Sequence, residues 1–530
     1  MTFSHLGGAL ALSLLAASAQ AAPVVLTVQA PAAAPAPVSG RLLVFAAPLA
    51  PGAAKPAEVD AGSFNARDTA VAAQDVAGLA PGASVTVDAD VRAFPSAFSA
   101  LKPGRYAVQA VLDGGEPYNY AGRGAGDLVS EVAEVQWPGA APVLHLGAPL
   151  PGRDPKTPNP RAPEVVRASY PQAAGDIREL DFTSPALSRF HGRDVHVRGW
   201  VLLPPGYGAG GARFPTVYWT HGFGGGLGGA YDAAVARWRD MKAGAIPPMI
   251  WVFLDESGPT GTHEFADSVN NGPWGQALTA ELIPQLERTY RMDAKPSGRF
   301  LTGHSSGGWA TLWLQVRYPK LFGGSWPTAP DPSDFHDFTG VDAYAPNANV
   351  YRRPDGSPAP LIRAGGKVVA TLEDFSRLED VIGPIGGQQS SFDWVFSPRG
   401  VDGRPQQMFD RATGRVDPQV LAYWREHYDV AHIVERDARR LKRDLDGKIH
   451  LIVGGADTFY LDQAARLLEA TMKRVGIGAS FRYVPGRTHG DLYGIGADRQ
   501  GLTKVIAWEM YKVARPGAKP PADLPRVPAS

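Results

Sequence analysis

The chain contains no cysteine. Disulfides, thiolate metal sites and a lipidated cysteine anchor are therefore excluded. It also lacks an excess of either charge. Lys+Arg and Asp+Glu stand at 52 each, so there is no basic footprint for nucleic acid or an anionic membrane surface. Long apolar runs are scarce too. Leu6 to Ala17 is apolar but too short to span a bilayer. Followed by Ala19-Gln20-Ala21, that run predicts an export signal over residues 1–21, although its leading segment carries His5 in place of Lys or Arg. The expectation is an exported protein of bacterial type, periplasmic or extracellular, with no membrane insertion after cleavage.

What is present in quantity is Gly (61) and Pro (48), which implies many turns and extended segments. Hydrophobic content of 44% with 20% charged residues suits a globular chain, and 530 residues are enough for several domain-sized units. Residues 23–136 read as a small all-β, sandwich-like domain. Tyr106, Val108, Ala110 and Leu112 fall on one strand face at period two, and Gly/Pro/Asp turns separate further strand candidates. Packing against the rest of the chain is its expected role, with polymer or ligand binding as an alternative. The proline-rich stretch 137–163 reads as a semi-rigid linker. From 164 to 515, strand-like runs (Ile177–Thr183, Val195–Leu203, Thr216–Thr220, Met249–Leu254, Arg299–Thr302, Lys448–Val453, Phe481–Val484) alternate with helical patterns. That alternation predicts an α/β unit with a mostly parallel sheet and helices on both faces. Residues 331–445 are too long for a connection and too aromatic for disorder, so they read as a cap. Residues 516–530 read as a disordered tail.

Chemistry concentrates where strands end. Arg299 to Trp309 reads RFLTGHSSGGW, a G-x-S-x-G elbow between a strand and a helix, with Ser305 at its centre. In so glycine-rich a chain the motif alone is weak. A serine nucleophile also needs a histidine base and a carboxylate to orient it, following in the order Ser, Asp, His after later strands. Asp457 closes the strand that begins at Lys448, and His489 follows the strand Phe481–Val484. Asp462 is the rival carboxylate, better suited to a helix first turn, and Asp491 is a weaker candidate. His427 and His432 fall in the cap as ordinary solvated or hydrogen-bonded residues. The glycine loop after Thr216–Thr220, His221-Gly222-Phe223-Gly224-Gly225-Gly226, suits an oxyanion hole whose donors are the Phe223 and Ser306 amides. Candidate pocket residues are His221, Gly222, Asn271, Trp274, His304 and Trp326. The acidic cluster Asp331 to Asp337 reads as a solvated loop; it lacks a recognised ligand spacing, so no metal and no cofactor are expected.

Several segments, in order, resemble the "putative esterase" branch of the α/β-hydrolases, which includes feruloyl and enterochelin esterases and mycolyltransferase antigens. They are VRGWVLLPPGY, PTVYWTHGFGG, ALTAELIPQLERTYR, RFLTGHSSGGWATLWLQVRYPKLFGGSW, GGAD and THGDLY. The resemblance implies an α/β-hydrolase fold with a serine carboxylester hydrolase site. Ser305 would be the nucleophile, His489 the base, Asp457 the acid, and Phe223 and Ser306 the oxyanion donors. The expected substrate is a small or polymer-linked ester. A serine peptidase or acyltransferase on the same triad, or a non-catalytic polymer- or glycan-binding protein, are the alternatives. The cap and the β-domain depart from the family pattern.

Overall fold

A computed structural model describes residues 23–34, 36–114, 122–160 and 162–528. The export signal expected over 1–21 lies outside the described residues. Among the described residues no helix is long and apolar enough to cross a membrane.

The N-terminal strands are β1 (Val25–Gln29), β2 (Val38–Pro48), β3 (Ala70–Leu79), β4 (Ser84–Asp88), β5 (Ala93–Phe94), β6 (Gly104–Asp113), β7 (Leu128–Ser130), β8 (Ala133–Trp137) and β9 (Val143–Pro149). They form one sheet in the order β4-β1-β9-β7-β6-β2-β3-β5, with β8 also on β6. Period-two alternation gives this sheet two faces. Leu42, Val44, Tyr106, Val108, Ala110 and Leu112 meet Leu26, Val28 and Leu144 in a core enclosed by the sheet itself. The segment expected as a linker thus contributes a strand, β9, paired parallel to β1 and antiparallel to β7. Proline content concealed it, because the prolines flank the run Val143–Leu146 rather than interrupt it.

The larger unit is built on β10 (Ile177–Thr183), β11 (His196–Leu202), β12 (Thr216–Thr220), β13 (Ile250–Leu254), β14 (Arg299–His304), β15 (Gly324–Thr328), β16 (His450–Gly454) and β17 (Ser480–Val484). Their order is β10-β11-β13-β12-β14-β15-β16-β17. β11 runs against both neighbours, and the pairs from β13 to β17 are all parallel. β13 shows how a central strand is buried on both faces. Every residue of IWVFL is buried: Trp251 and Phe253 enter one core, Ile250, Val252 and Leu254 the other. Helices cover both faces, as parallel sheets require. They include α1 (Leu227–Lys242), α2 (Ser306–Arg317), α6 (Leu461–Val475) and α7 (Gly501–Ala514). This is the α/β-hydrolase architecture, and it brings the carboxyl ends of β12, β14, β15, β16 and β17 to one edge.

Between β15 and β16 lie a hairpin (Pro360–Ala364 with Lys367–Thr371) and the helices α3 (Leu372–Ile382), α4 (Gln388–Phe396) and α5 (Pro418–His427). This is the stretch expected to form a cap. Two of its aromatics, Phe375 and Phe392, line the cavity that also holds Ser305, and others turn away from it. Phe396 packs 4.8 Å from Trp309 and Tyr428 5.5 Å from Trp313, so most of the insert is joined to the main core through α2. The other partner of the insert is the β-domain. Leu378, Val381 and Ile382 of α3 complete an apolar cluster with Leu43, Phe45, Val71, Ala107 and Val111. Burying each such aliphatic side chain contributes about 1.5–3 kcal/mol. Arg41 donates to the Val381 and Asp380 carbonyls at 2.7 and 2.9 Å, satisfying acceptors that the end of α3 leaves over. In the segment read as a tail, Val527 packs on the main core.

Candidate active site

Ser305 stands between β14 and α2 with φ +60° and ψ −124°. A non-glycine residue held there stores strain of about 1–3 kcal/mol, and the surroundings must hold it. The Ser305 amide donates to the Thr328 carbonyl of β15 at 3.0 Å, and its own carbonyl accepts from Trp309 N–H at 2.9 Å. Gly307 allows the elbow and the glycine loop to touch: a Cβ there would lie 2.2 Å from the His221 carbonyl oxygen. Gly222 does the same from the other side, where a Cβ would lie 2.9 Å from both the His304 carbonyl oxygen and Ser305 Cβ. The Ser306 amide opens α2, where first-turn N–H groups lack helical partners and the dipole favours negative charge.

Asp457 and His489 come from the loops after β16 and β17. Asp457 is fully buried, and its Oδ2 lies 2.9 Å from His489 Nδ1. Its other oxygen accepts from the Phe459 amide at 2.9 Å and the Leu461 amide at 3.3 Å. The carboxylate is thereby oriented, and with Nδ1 engaged, Nε2 is the nitrogen left to act as base. Phe459 meets the imidazole edge-on at 4.8 Å, and the His304 ring lies 4.4 Å away. Burial, and next to it the charge of His489, keep His304 well below the usual histidine range. A neutral ring therefore flanks His489. Asp462 sits in the first turn of α6, paired with Arg363 at 3.2 Å, and Asp491 folds back on Thr488 at 2.6 Å.

Ser305 and His489 share the wall of a cavity of about 590 Å³ with Gly222, Phe223, His304 and Asp331. Apolar side chains supply much of the remainder, among them Phe64, Leu361, Phe375, Phe392 and Phe459.

Four of the expected pocket residues lie elsewhere. Trp326 points from β15 into the main core, where its indole donates to Glu509 at 2.8 Å. Trp274 stacks on His263 at 3.6 Å and donates to the Asn271 carbonyl at 2.9 Å. Both Trp274 and Asn271 pack on the segment that follows β13, where Asn271 Oδ1 accepts from Thr260 Oγ1 at 3.0 Å. His221 lies beneath the glycine loop, its Nε2 2.8 Å from Asp255 and its Nδ1 2.8 Å from the Gly222 carbonyl. Burial works against a charge on His221, but the Asp255 hydrogen bond and the charges of Glu256 and Asp255 raise its pKa.

The sequence reading missed Asp331. It is not a solvated loop residue: it is buried, lines the cavity, and accepts from Ser306 Oγ at 2.6 Å. Burial pushes its carboxyl up to about 6, with the Ser306 hydrogen bond holding it back. Its position directly after β15, the strand beside the elbow, was the available signal. Among the described residues no group of three or more His, Asp or Glu side chains is arranged to hold a metal ion.

The family described as "Putative esterase" matches this chain over residues 188–490, more than half its length. An esterase of Mycobacterium tuberculosis is 29% identical over 243 residues, 43% of this chain and 48% of that protein. An iron(III) enterobactin esterase of Dickeya dadantii is 30% identical over 105 residues, 18% of this chain and 23% of that one. The chain spans about half the length of the first relative and about a quarter of the second. Among solved structures, a ferulic acid esterase aligns at 13% identity over 64% of this chain and 97% of its own, with a TM-score of 0.38. An S-formylglutathione hydrolase from Agrobacterium tumefaciens aligns at 14% identity over 64% and 94%, with a TM-score of 0.37. Since the match over 188–490 takes in the elbow, the glycine loop and the loops that carry Asp457 and His489, this chain belongs to the "Putative esterase" family.

Proposed function

We propose that this protein is a serine carboxylester hydrolase working through an acyl-enzyme. The observation that carries the reading is the buried Asp457–His489 pair at 2.9 Å, in one cavity with a serine on a strained elbow. Ser305 Oγ attacks the ester carbonyl while His489 Nε2 takes its proton. The carbonyl oxygen gains negative charge, and the Phe223 and Ser306 amides stabilise it; one such donor typically contributes about 2.7–4 kcal/mol. The tetrahedral species collapses as His489 returns the proton to the departing alcohol oxygen. Water, deprotonated by the same histidine, then releases the acid and restores Ser305. The apolar cavity lining favours esters with a hydrophobic portion, and family membership and the esterase names of the relatives support the reaction class.

A panel of p-nitrophenyl esters tests the reading. Ser305→Ala is expected to lower kcat by at least about 10⁴-fold, as for other serine triads. Equal turnover by both proteins would end the proposal. Export, which rests on the N-terminal residues alone, is checked by fractionating expressing cells: processed protein belongs outside the cytoplasm, and a full-length cytoplasmic product overturns it.

A further inference from the structure

The cavity has a wall that the catalytic domain does not supply. Gly62, Phe64 and Asn65 of the β-domain face it, in a short turn between β2 and β3 closed by the Asn65 amide on the Gly62 carbonyl at 3.2 Å. The turn is tethered: Ala66, beside it, is buried against the β-domain, and Arg67 pairs with Asp374 of α3 at 2.5 Å. Phe64 itself is 57% exposed, although large apolar side chains are usually buried. Its ring meets Phe459 edge-on at 6.0 Å, and Phe459 meets His489 edge-on at 4.8 Å. The aromatic line therefore runs from the catalytic imidazole outward to a second domain.

Direction follows from the chemistry. His489 must hand its proton to the leaving oxygen, so the alcohol portion of an ester lies on the histidine's side of the reacting carbon. We propose that Phe64 is a specificity-determining residue, contributed by the β-domain, that contacts the apolar alcohol portion of the substrate. The inference rests on the esterase reading above. The β-domain then takes part in substrate selection as well as in packing.

The test compares full-length wild type, Phe64→Ala and Phe64→Leu on ethyl acetate, benzyl acetate and ethyl phenylacetate. Intrinsic reactivity cancels when each variant is referred to wild type on the same ester. The benzyl-to-ethyl ratio of kcat/KM is expected to fall about tenfold in Phe64→Ala and only about threefold in Phe64→Leu, the scale on which apolar pockets discriminate. The phenylacetate-to-acetate ratio, which reports the acyl side, is expected to move less than twofold on the same scale. An unchanged benzyl ratio overturns the inference, as does a change confined to the acyl ratio. Thermal melts of the variants identify a global folding defect, which would lower all three esters together and leave both ratios in place, again against the inference. If Ser305→Ala matches wild type on all three esters, the esterase reading fails and this inference with it. Ser305-dependent turnover with unmoved ratios sinks the inference alone.

Discussion

At the scale of single residues, the candidate site depends on backbone contact as much as on the side chains of Ser305, Asp457 and His489. Gly307 is the clearest case: an added Cβ would meet the His221 and Thr220 carbonyl oxygens at 2.2 and 2.6 Å, and neither is a flexible side-chain tip. Gly307→Ala should destabilise the protein by about 1–3 kcal/mol, the range for overpacking, and lower kcat by displacing the oxyanion loop. Denaturant unfolding together with ester kinetics checks this; a variant as stable and active as wild type would refute the contact. Asp457→Asn keeps the shape but reverses the hydrogen-bond preference at His489 Nδ1, and kcat should fall about 10⁴-fold. Steady-state kinetics with folding verified by circular dichroism measures it. That Ser305, Asp457 and His489 come together in space was legible because each follows a strand in a fixed chain order. Asp331 reads as solvated in the sequence, because the hydrogen bond that holds it comes from Ser306 of the elbow and not from its own loop. Trp326 misled for a different reason. Its side chain lies on the sheet face covered by α7, two residues short of the strand end, so nearness in sequence to the site gives no nearness in space.

Among the elements, α3 joins the two domains. Its apolar face, Leu378, Val381 and Ile382, closes a β-domain core, and its last carbonyls receive Arg41. Removing that guanidinium leaves buried acceptors unmet. Arg41→Ala should cost about 1.5–3 kcal/mol, as expected for a charged donor, and raise hydrogen exchange in α3 and β2 selectively. Uniform exchange across the chain, with no local change, would contradict this account of the interface. Strand positions were readable to within a residue or two, as Ile177–Thr183 and Thr216–Thr220 show, because short β-prone runs bounded by turns have few other uses. The packing partners of the insert were not readable. Its amphipathic helices pack against partners hundreds of residues away in sequence, and no local period encodes which surface they will meet. For the same reason nothing in the turn around Phe64 signalled that it faces the cavity.

For the molecule as a whole, buried carboxyls behind the glycine loop tie stability to pH. Burial pushes Glu256 from its ordinary 4.5 up to about 8, and Glu264 also lies well above its usual range for the same cause. The folded protein thus holds a proton on Glu256 that the unfolded chain releases above about pH 4.5. This contribution to stability is fully present below that value and is lost as pH rises through about 8. Unfolding free energy should fall between about pH 5 and about pH 8 by up to ~1.4 kcal/mol per pH unit from this group, melting temperature should fall with it, and Glu256→Gln should flatten the curve. An identical curve for the variant would assign the titration elsewhere. One serine is proposed to do the chemistry, and labelling with a fluorophosphonate followed by intact-mass and peptide mass spectrometry checks it. The prediction is a single adduct on Ser305, formed in step with the loss of ester turnover and absent from Asp457→Asn and His489→Ala at matched exposure. An adduct on another residue, or full turnover by protein modified completely at Ser305, would contradict it.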